Sequence, residues 1–209
     1  MAIGRYSASV CAINCVNAAL VVFILTHNPV QADYRSQIDM DIDTARSTVA
    51  SVVRSVVSVR PHAQVTHLFT GEQLVKRLES YRAEAYPDPG SHGAPWTCGY
   101  GHTGKDCYPG VRFTKSQATA WFKTDYTKAE ADVDLSVTKP LTYYQKIALV
   151  SFTYNLGGGN LSRSTLLKDV NAGDYADAAK ELKRWVVASG KRCNGLAFRR
   201  EVESIVFGM

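Results

Sequence analysis

A chain of 209 residues with 45% hydrophobic and 21% charged side chains can bury one good-sized domain plus an appendage, which excludes wholesale disorder. A formal charge of +5 suits a polyanionic partner such as anionic lipid or bacterial cell wall. The Lys and Arg residues are scattered with no basic block, which argues against nucleic acid.

Residues 1–32 stand apart. MAIGRYSAS carries a single positive charge, VCAINCVNAALVVFIL is apolar, and THNPVQA ends with Val30 and Ala32 placed as the small residues before a signal-peptidase cut. The apolar run has 16 residues, whereas a bilayer core asks for about 20. The segment reads as a signal peptide or a releasable signal-anchor, with residues 8–26 as the part that associates with the inner membrane. Either implies export to the periplasm. A buried helix of the main domain is the competing reading.

Residues 33–68 look like a helical tether. Ala45, Val49, Val52, Val53, Val56 and Val57 recur at helical spacing until Pro61 ends the run, and no residue there suggests chemistry. From residue 69 to 209 the pattern tightens into one domain. Thr70-x-x-Gln73 is a capping-box pattern that opens an amphipathic helix running to about Arg82. The Gly/Pro-rich PDPGSHGAPWTCGYGHTGKDCYPGVRF predicts a small antiparallel hairpin region. Thr114-x-x-Gln117 then caps a long helix, and YYQKIALVSFTYNL, RSTLLKDVNAG, DYADAAKELKRWVV and LAFRREVESIVF predict four more. Gly157 to Gly159, Gly173 and Gly190 punctuate them. The class is α+β, mostly helical, with a small β lobe near the start of the domain.

Five cysteines, at 11, 15, 98, 107 and 193, show no paired metal-ligand spacing, so neither a metal nor another cofactor is expected. Cys98 and Cys107 flank the GYGHTGKD turn and could bridge it. Pairing of either with Cys193, or three reduced thiols, stays open.

The stretch around the hairpin carries the candidate chemistry. Glu79 falls in the last turn of its helix, where partial negative charge disfavours an ionised carboxylate. With apolar neighbours it can hold a proton and act as a general acid. Asp88, between Pro87 and Pro89, is kept ionised by solvent and turn amides. Two carboxyl groups driven to opposite protonation states are what glycosidic cleavage needs. Thr97, starting the second strand, offers a hydroxyl to hold a water. On spacing alone, surface charges around a turn are the favoured reading of the pair, and Glu72, Glu84 and Asp106 are rival carboxylates.

A helix ending in Glu79, then AYPD with Asp88, then Thr97-Cys98-Gly99-Tyr100-Gly101-His102, resembles the phage-type lysozymes, the muramidases of the phage endolysin and tail-lysozyme family. The likeness continues through PGVRFTKSQATAWFKTD, ALVSFTYNLGGGNLSRSTLLKDVNAGDYADAAKEL and RWVVASGKRCNGLAFRREVE, covering about residues 68–209. It implies a lysozyme-like fold with Glu79 as general acid, Asp88 as second carboxylate and Thr97 as the water-positioning hydroxyl. The implied reaction is metal-free hydrolysis of the β-1,4 bond between N-acetylmuramic acid and N-acetylglucosamine in peptidoglycan, by a monomer and with inversion. Two departures stand out. PGSHGAPW makes the link from Asp88 to Thr97 longer than in the shortest members, and Cys98 stands where an aliphatic residue is common. The alternatives are a lytic transglycosylase or chitinase-like activity, and a non-catalytic wall-binding virion component.

Other residues carry paired readings. His102 either ties the β lobe to the helices or contacts substrate. Asn155 is a helix C-cap or a polar group on the cleft floor. Arg199 and Arg200 could pair with Glu79 or contact glycan, against a solvated helix face for each. Tyr81, Tyr86 and Trp96 stack on sugars or fill core.

Overall fold

Three helices of this protein begin with the same device. At Thr70, Thr114 and Thr142 the threonine side chain accepts from the backbone amide of a glutamine three residues on (3.2, 3.2 and 3.1 Å). That glutamine's side chain in turn accepts from the threonine's own amide (2.8, 2.8 and 2.9 Å). Each capping box satisfies two amides that the helix leaves unpaired, and such a cap is worth about 1 kcal/mol. The helices they start are α1 (Gly71–Glu79), α2 (Lys115–Ser136) and α3 (Tyr143–Leu156). The computed structural model describes residues 67–87, 95–188 and 190–209. Residues 1–32, expected to direct export, nearly all of the expected tether at 33–68, and Asp88 lie outside the described residues.

The first helix stops at Glu79, three residues short of the expected Arg82. Ser80 turns the chain at φ 59° and ψ 161°, and residues Arg82–Pro87 become strand β1. Their partner is β2 (Trp96–Gly99), antiparallel, with Tyr86 opposite Thr97, Pro87 opposite Trp96, and an irregular register between Arg82 and Tyr86. Strand pairing overrides the helical continuation that YRAEAY allows by local pattern. Beyond β2, Cys98 and His102 exchange backbone hydrogen bonds of 2.9 Å each, and a Cys98–Cys107 disulfide ties the loop that follows. Of the pairings left open above, the structure has this one. Cys193 packs with Ala188 and Leu196.

The helical part continues with α4 (Gly158–Ser162), α5 (Thr165–Ala172), α6 (Tyr175–Leu182) and α7 (Asn194–Phe207). The triple glycine was expected as punctuation only, yet it opens the short α4. The segment DYADAAKELKRWVV was expected to be helical throughout, but α6 ends at Leu182. Val187–Ala188 (β3) instead pairs with Lys191–Arg192 (β4) around Gly190, whose φ of 76° is open to glycine at no steric cost.

At the centre lies α3, buried without a break from Ile147 to Thr153. A helix apolar on every side belongs inside, and α1, α2, α4 and α7 surround this one. Leu74, Phe122, Leu149, Phe152, Leu166 and Val202 belong to one continuous core, each side chain contributing about 1.5–3 kcal/mol by burial. Among the described residues no helix is long and apolar enough to cross a membrane.

Candidate active site

Leu74 and Val75 anchor α1 in the core, which carries Glu79 at the helix end inward until it is only 8% exposed. The group that meets it there is Arg199 of α7, whose Nη1 donates to Glu79 Oε1. Arg199 donates further from Nε to Glu203 Oε1 (3.0 Å) and from Nη2 to the carbonyl of Ser151 (3.0 Å). Burial opposes the guanidinium's charge, but the Glu79 and Glu203 carboxylates outweigh it and raise the pKa. Glu203 is itself fully buried and accepts from Ser151 Oγ at 2.7 Å.

Arg200, read as part of a solvated helix face or a glycan contact, is fully buried, as is Arg199. Its Nη2 donates to Asn155 Oδ1 at 2.5 Å, and its guanidinium lies 5.0 Å from the Phe152 ring centroid. Its Nη1 comes within 3.2 Å of Glu203 Oε2, a charge contact without hydrogen-bond alignment. Asn155 is therefore held by Arg200 and is not the cap of α3, a place taken by Gly157 at φ 83°.

The hairpin lobe closes over Glu79 through a glycine. At Gly101, with φ of 89°, an added Cβ would sit 2.8 Å from Glu79 Oε2, so only a residue without a side chain lets the backbone pass this close. Tyr154 of α3 donates to the Tyr100 carbonyl at 2.8 Å. Burial, with the Glu79 and Asp125 carboxylates nearby, pushes its phenol far up, so it stays neutral and serves as a donor. Thr97 is fully buried in β2, and its Oγ1 has no hydrogen-bond partner among the described residues. Gly101 and Tyr154 also line an open polar groove with Thr103, Asp125 and Gly157.

His102 has both ring nitrogens engaged. Nδ1 lies 2.7 Å from Asp125 Oδ2 on α2, Nε2 lies 3.1 Å from Asp106 Oδ1, and the ring stacks on Trp121 at 5.1 Å. Burial by itself would lower the imidazole's pKa, but the two carboxylates more than offset it and raise it. The bond to His102 in turn lowers that of Asp106. This is a clamp between the hairpin turn and α2, with no ring nitrogen left for a sugar.

The rival carboxylates fall away from the site. Glu72 pairs loosely with Lys76 at 3.7 Å on α1, Glu84 is exposed on β1, and Asp106 belongs to the clamp. Tyr81 packs on Tyr100 at 5.3 Å, and Tyr86 lies under Arg82 at 4.4 Å. Trp96 is half-buried at the start of β2. Ser151 and Glu203 were not foreseen. The signal available for Glu203 was its position four residues after Arg199, on the same helix face.

Comparison with known proteins shows what the chain is similar to. The model of the phage lysozyme family matches residues 76–203. The SAR-endolysin of Bacteriophage PS119 is 36% identical over 151 residues, which is 72% of this chain and 89% of that protein. The solved endolysin from Escherichia coli O157:H7 phage FAHEc1 is 33% identical with a TM-score of 0.59, covering 71% of this chain and 95% of that one. The muramidase domain of SpmX from Asticaccaulis excentricus is 31% identical with a TM-score of 0.61, covering 71% of this chain and 99% of that one.

Proposed function

The chain belongs to the phage lysozyme family and is a peptidoglycan-degrading glycoside hydrolase, and from that premise we propose how its residues divide the work. Glu79 delivers a proton to the bridging oxygen of the β-1,4 bond between N-acetylmuramic acid and N-acetylglucosamine. Asp88 stays anionic and directs a water to the sugar carbon, and the Thr97 hydroxyl holds that water. The outcome is inversion, which asks for carboxyl groups roughly 6.5–9.5 Å apart. The observation that carries the reading is Glu79 itself, a carboxyl group withdrawn from solvent at the end of a helix, beneath the hairpin backbone that borders the groove. Thr97 Oγ1, without a hydrogen-bond partner among the described residues, supports its part, since such a buried hydroxyl has bonds to offer a water. Asn155, Arg200 and His102 hold this arrangement and do not touch the glycan.

Residues 69–209 form the catalytic domain, residues 33–68 the tether, and residues 1–32 carry the enzyme to the periplasm as a signal peptide or releasable anchor. The apolar run and the likeness to a protein called a SAR-endolysin support this. Amino-terminal sequencing of exported protein separates the two forms. A start at Asp33 means a cleaved signal, and an intact start in both membrane and released fractions means an anchor.

The catalytic reading is tested by Glu79→Gln in a turbidity assay on outer-membrane-permeabilised cells. Lysis should vanish while the circular dichroism spectrum is unchanged, and lysis at the parental rate would refute the role of Glu79. Products should carry hydrolysed muramic acid ends. A 1,6-anhydro end would assign a lytic transglycosylase instead.

A further inference from the structure

We propose that Glu203 is a positioning residue, which sets how much of the Arg199 charge bears on Glu79 and so the pH range over which the enzyme works. The inference rests on the reading of Glu79 as the acid and deepens it. An arginine held against a general acid works against that acid, because its positive charge favours the carboxylate over the protonated form. The enzyme therefore needs this charge partly answered from another side.

The structure supplies such an answer. Every nitrogen of the Arg199 guanidinium is engaged by a buried group: Nη1 by Glu79, Nε by Glu203 at 3.0 Å, and Nη2 by the Ser151 carbonyl at 3.0 Å. One carboxylate, Glu203, thus takes the edge of the guanidinium away from Glu79. Glu203 is held in turn by Ser151 Oγ at 2.7 Å and lies 3.2 Å from Arg200. Two acids and two bases form the cluster, drawn from α1 and α7 and braced by α3.

Among the described residues few other charges reach Glu79. Tyr154 of α3 lies near it as a neutral phenol, with the Asp125 carboxylate also acting on that phenol. Among the described residues the hairpin brings the Gly101 backbone against Glu79, and Asp88, outside them, is the second carboxylate of the proposed site, unchanged in both variants below. On its own helix Lys76 turns away, over the Phe122 ring at 4.5 Å. The groups that face Glu203 are Arg199 and Arg200 from α7 and Ser151 from α3. Arg199 is thus the charge in direct contact with Glu79, and Glu203 is the group that moderates it.

Two charge-removing variants of the full chain push in opposite directions. Glu203→Gln keeps the shape and the acceptor for Ser151 and Arg199 but removes the negative charge, so more of the arginine's field falls on Glu79. The alkaline limb of the pH–rate profile on solubilised peptidoglycan should move down by about one pH unit, a roughly tenfold loss at neutral pH. The rate at the acid optimum and KM should change little. Arg200→Gln removes a competing cation, leaves Glu203 more fully on Arg199, and should move the same limb upward. A merely structural role would lower the rate at every pH and move no limb. A profile for Glu203→Gln that is scaled but not shifted, or two variants that shift the same way, would overturn the proposal. If thermal melts show that Glu203→Gln does not fold, the Arg200→Gln shift decides alone, and no upward movement overturns it. Glu79→Gln measured alongside must be inactive at every pH. Activity there would sink the acid assignment, which is a different failure from an unshifted limb.

Discussion

The helical lobe and the hairpin lobe are held by different physics. Around α3 the packing is apolar and continuous from α1 to α7, and among the described residues buried charges enter only as the compensated cluster of Glu79, Arg199, Arg200 and Glu203. The hairpin lobe has two short strands, and of the four residues of β2 it buries Thr97, Cys98 and Gly99. A disulfide ties it internally, and its hold on the rest comes from the His102 clamp and glycines that pack where no side chain fits. Gly99 is one, since its Cβ would come within 2.7 Å of Ala118. A small lobe cannot bury enough surface to hold itself, so covalent and polar ties stand in for a core. Glu79, the proposed acid, thus sits on the lobe made rigid by packing, and Thr97, proposed to hold the water, on the lobe held by ties.

The largest effect that sharpens this contrast is a cavity in the helical core. Phe152 is fully buried, meets Trp185 edge-on at 5.3 Å and supports Arg200. Phe152→Ala should cost about 3–5 kcal/mol in urea unfolding, with the helical signal and activity lost together. Survival of activity after helix loss would break the comparison.

Removing the Cys98–Cys107 disulfide, which closes a loop with a sequence separation of 9, should cost on the order of 2–3 kcal/mol. Replacing both cysteines by serine tests it. On titration with urea, activity should fall at a lower concentration than the far-ultraviolet helical signal does. Coincident transitions would mean the hairpin lobe does not yield separately.

The His102 clamp is a smaller, pH-dependent term, about 1 kcal/mol for a partly exposed pair. Its folded pKa is raised above 6.5, so its contribution is fully present below that value and is lost as pH rises through the folded one. Asp106 has the opposite sign. Its folded pKa is lowered from 3.8, so its contribution is present above that value and is lost as pH falls through the folded one. The stability gap between wild type and His102→Asn should therefore be widest in mildly acidic buffer and narrow toward alkaline pH. A gap of constant size from acid to alkali would show that the ring acts by packing on Trp121 alone.

The smallest expected effect lies at the joint between the lobes. Ser80, directly after Glu79, holds φ 59° with ψ 161°, a region that costs a non-glycine residue roughly 1–3 kcal/mol. Ser80→Gly relieves this but adds about 0.5–1 kcal/mol of unfolded-chain entropy, so a small rise in melting temperature is expected. A fall would mean that Ser80 is not strained there.

Local pattern revealed much of the helical lobe. Thr114-x-x-Gln117 marked the start of α2 to the residue, because a capping box is written within four positions. It did not reveal the end of α1, since YRAEAY is compatible with helix until a partner strand competes for its backbone. The alternation in VVASGKRC was too short to separate β3 and β4 from the end of α6. Of the site residues, the hairpin motif drew attention to Glu79 and Thr97 through a family resemblance, as their spacing is common by chance.

Capping, the central apolar helix and the glycine-bounded turns are properties of neighbouring residues, and the amino-acid order alone determined them. Three contacts were not decided by that order: Arg199 reaching Glu79 across 120 positions, which the sequence offered as one of several readings, Glu203 taking the other edge of the same guanidinium, and His102 choosing Asp125 as its tie to the helices. Their energies depend on desolvation and on separations of a few ångströms. Those quantities do not exist until α1, α3, α7 and the hairpin are packed together.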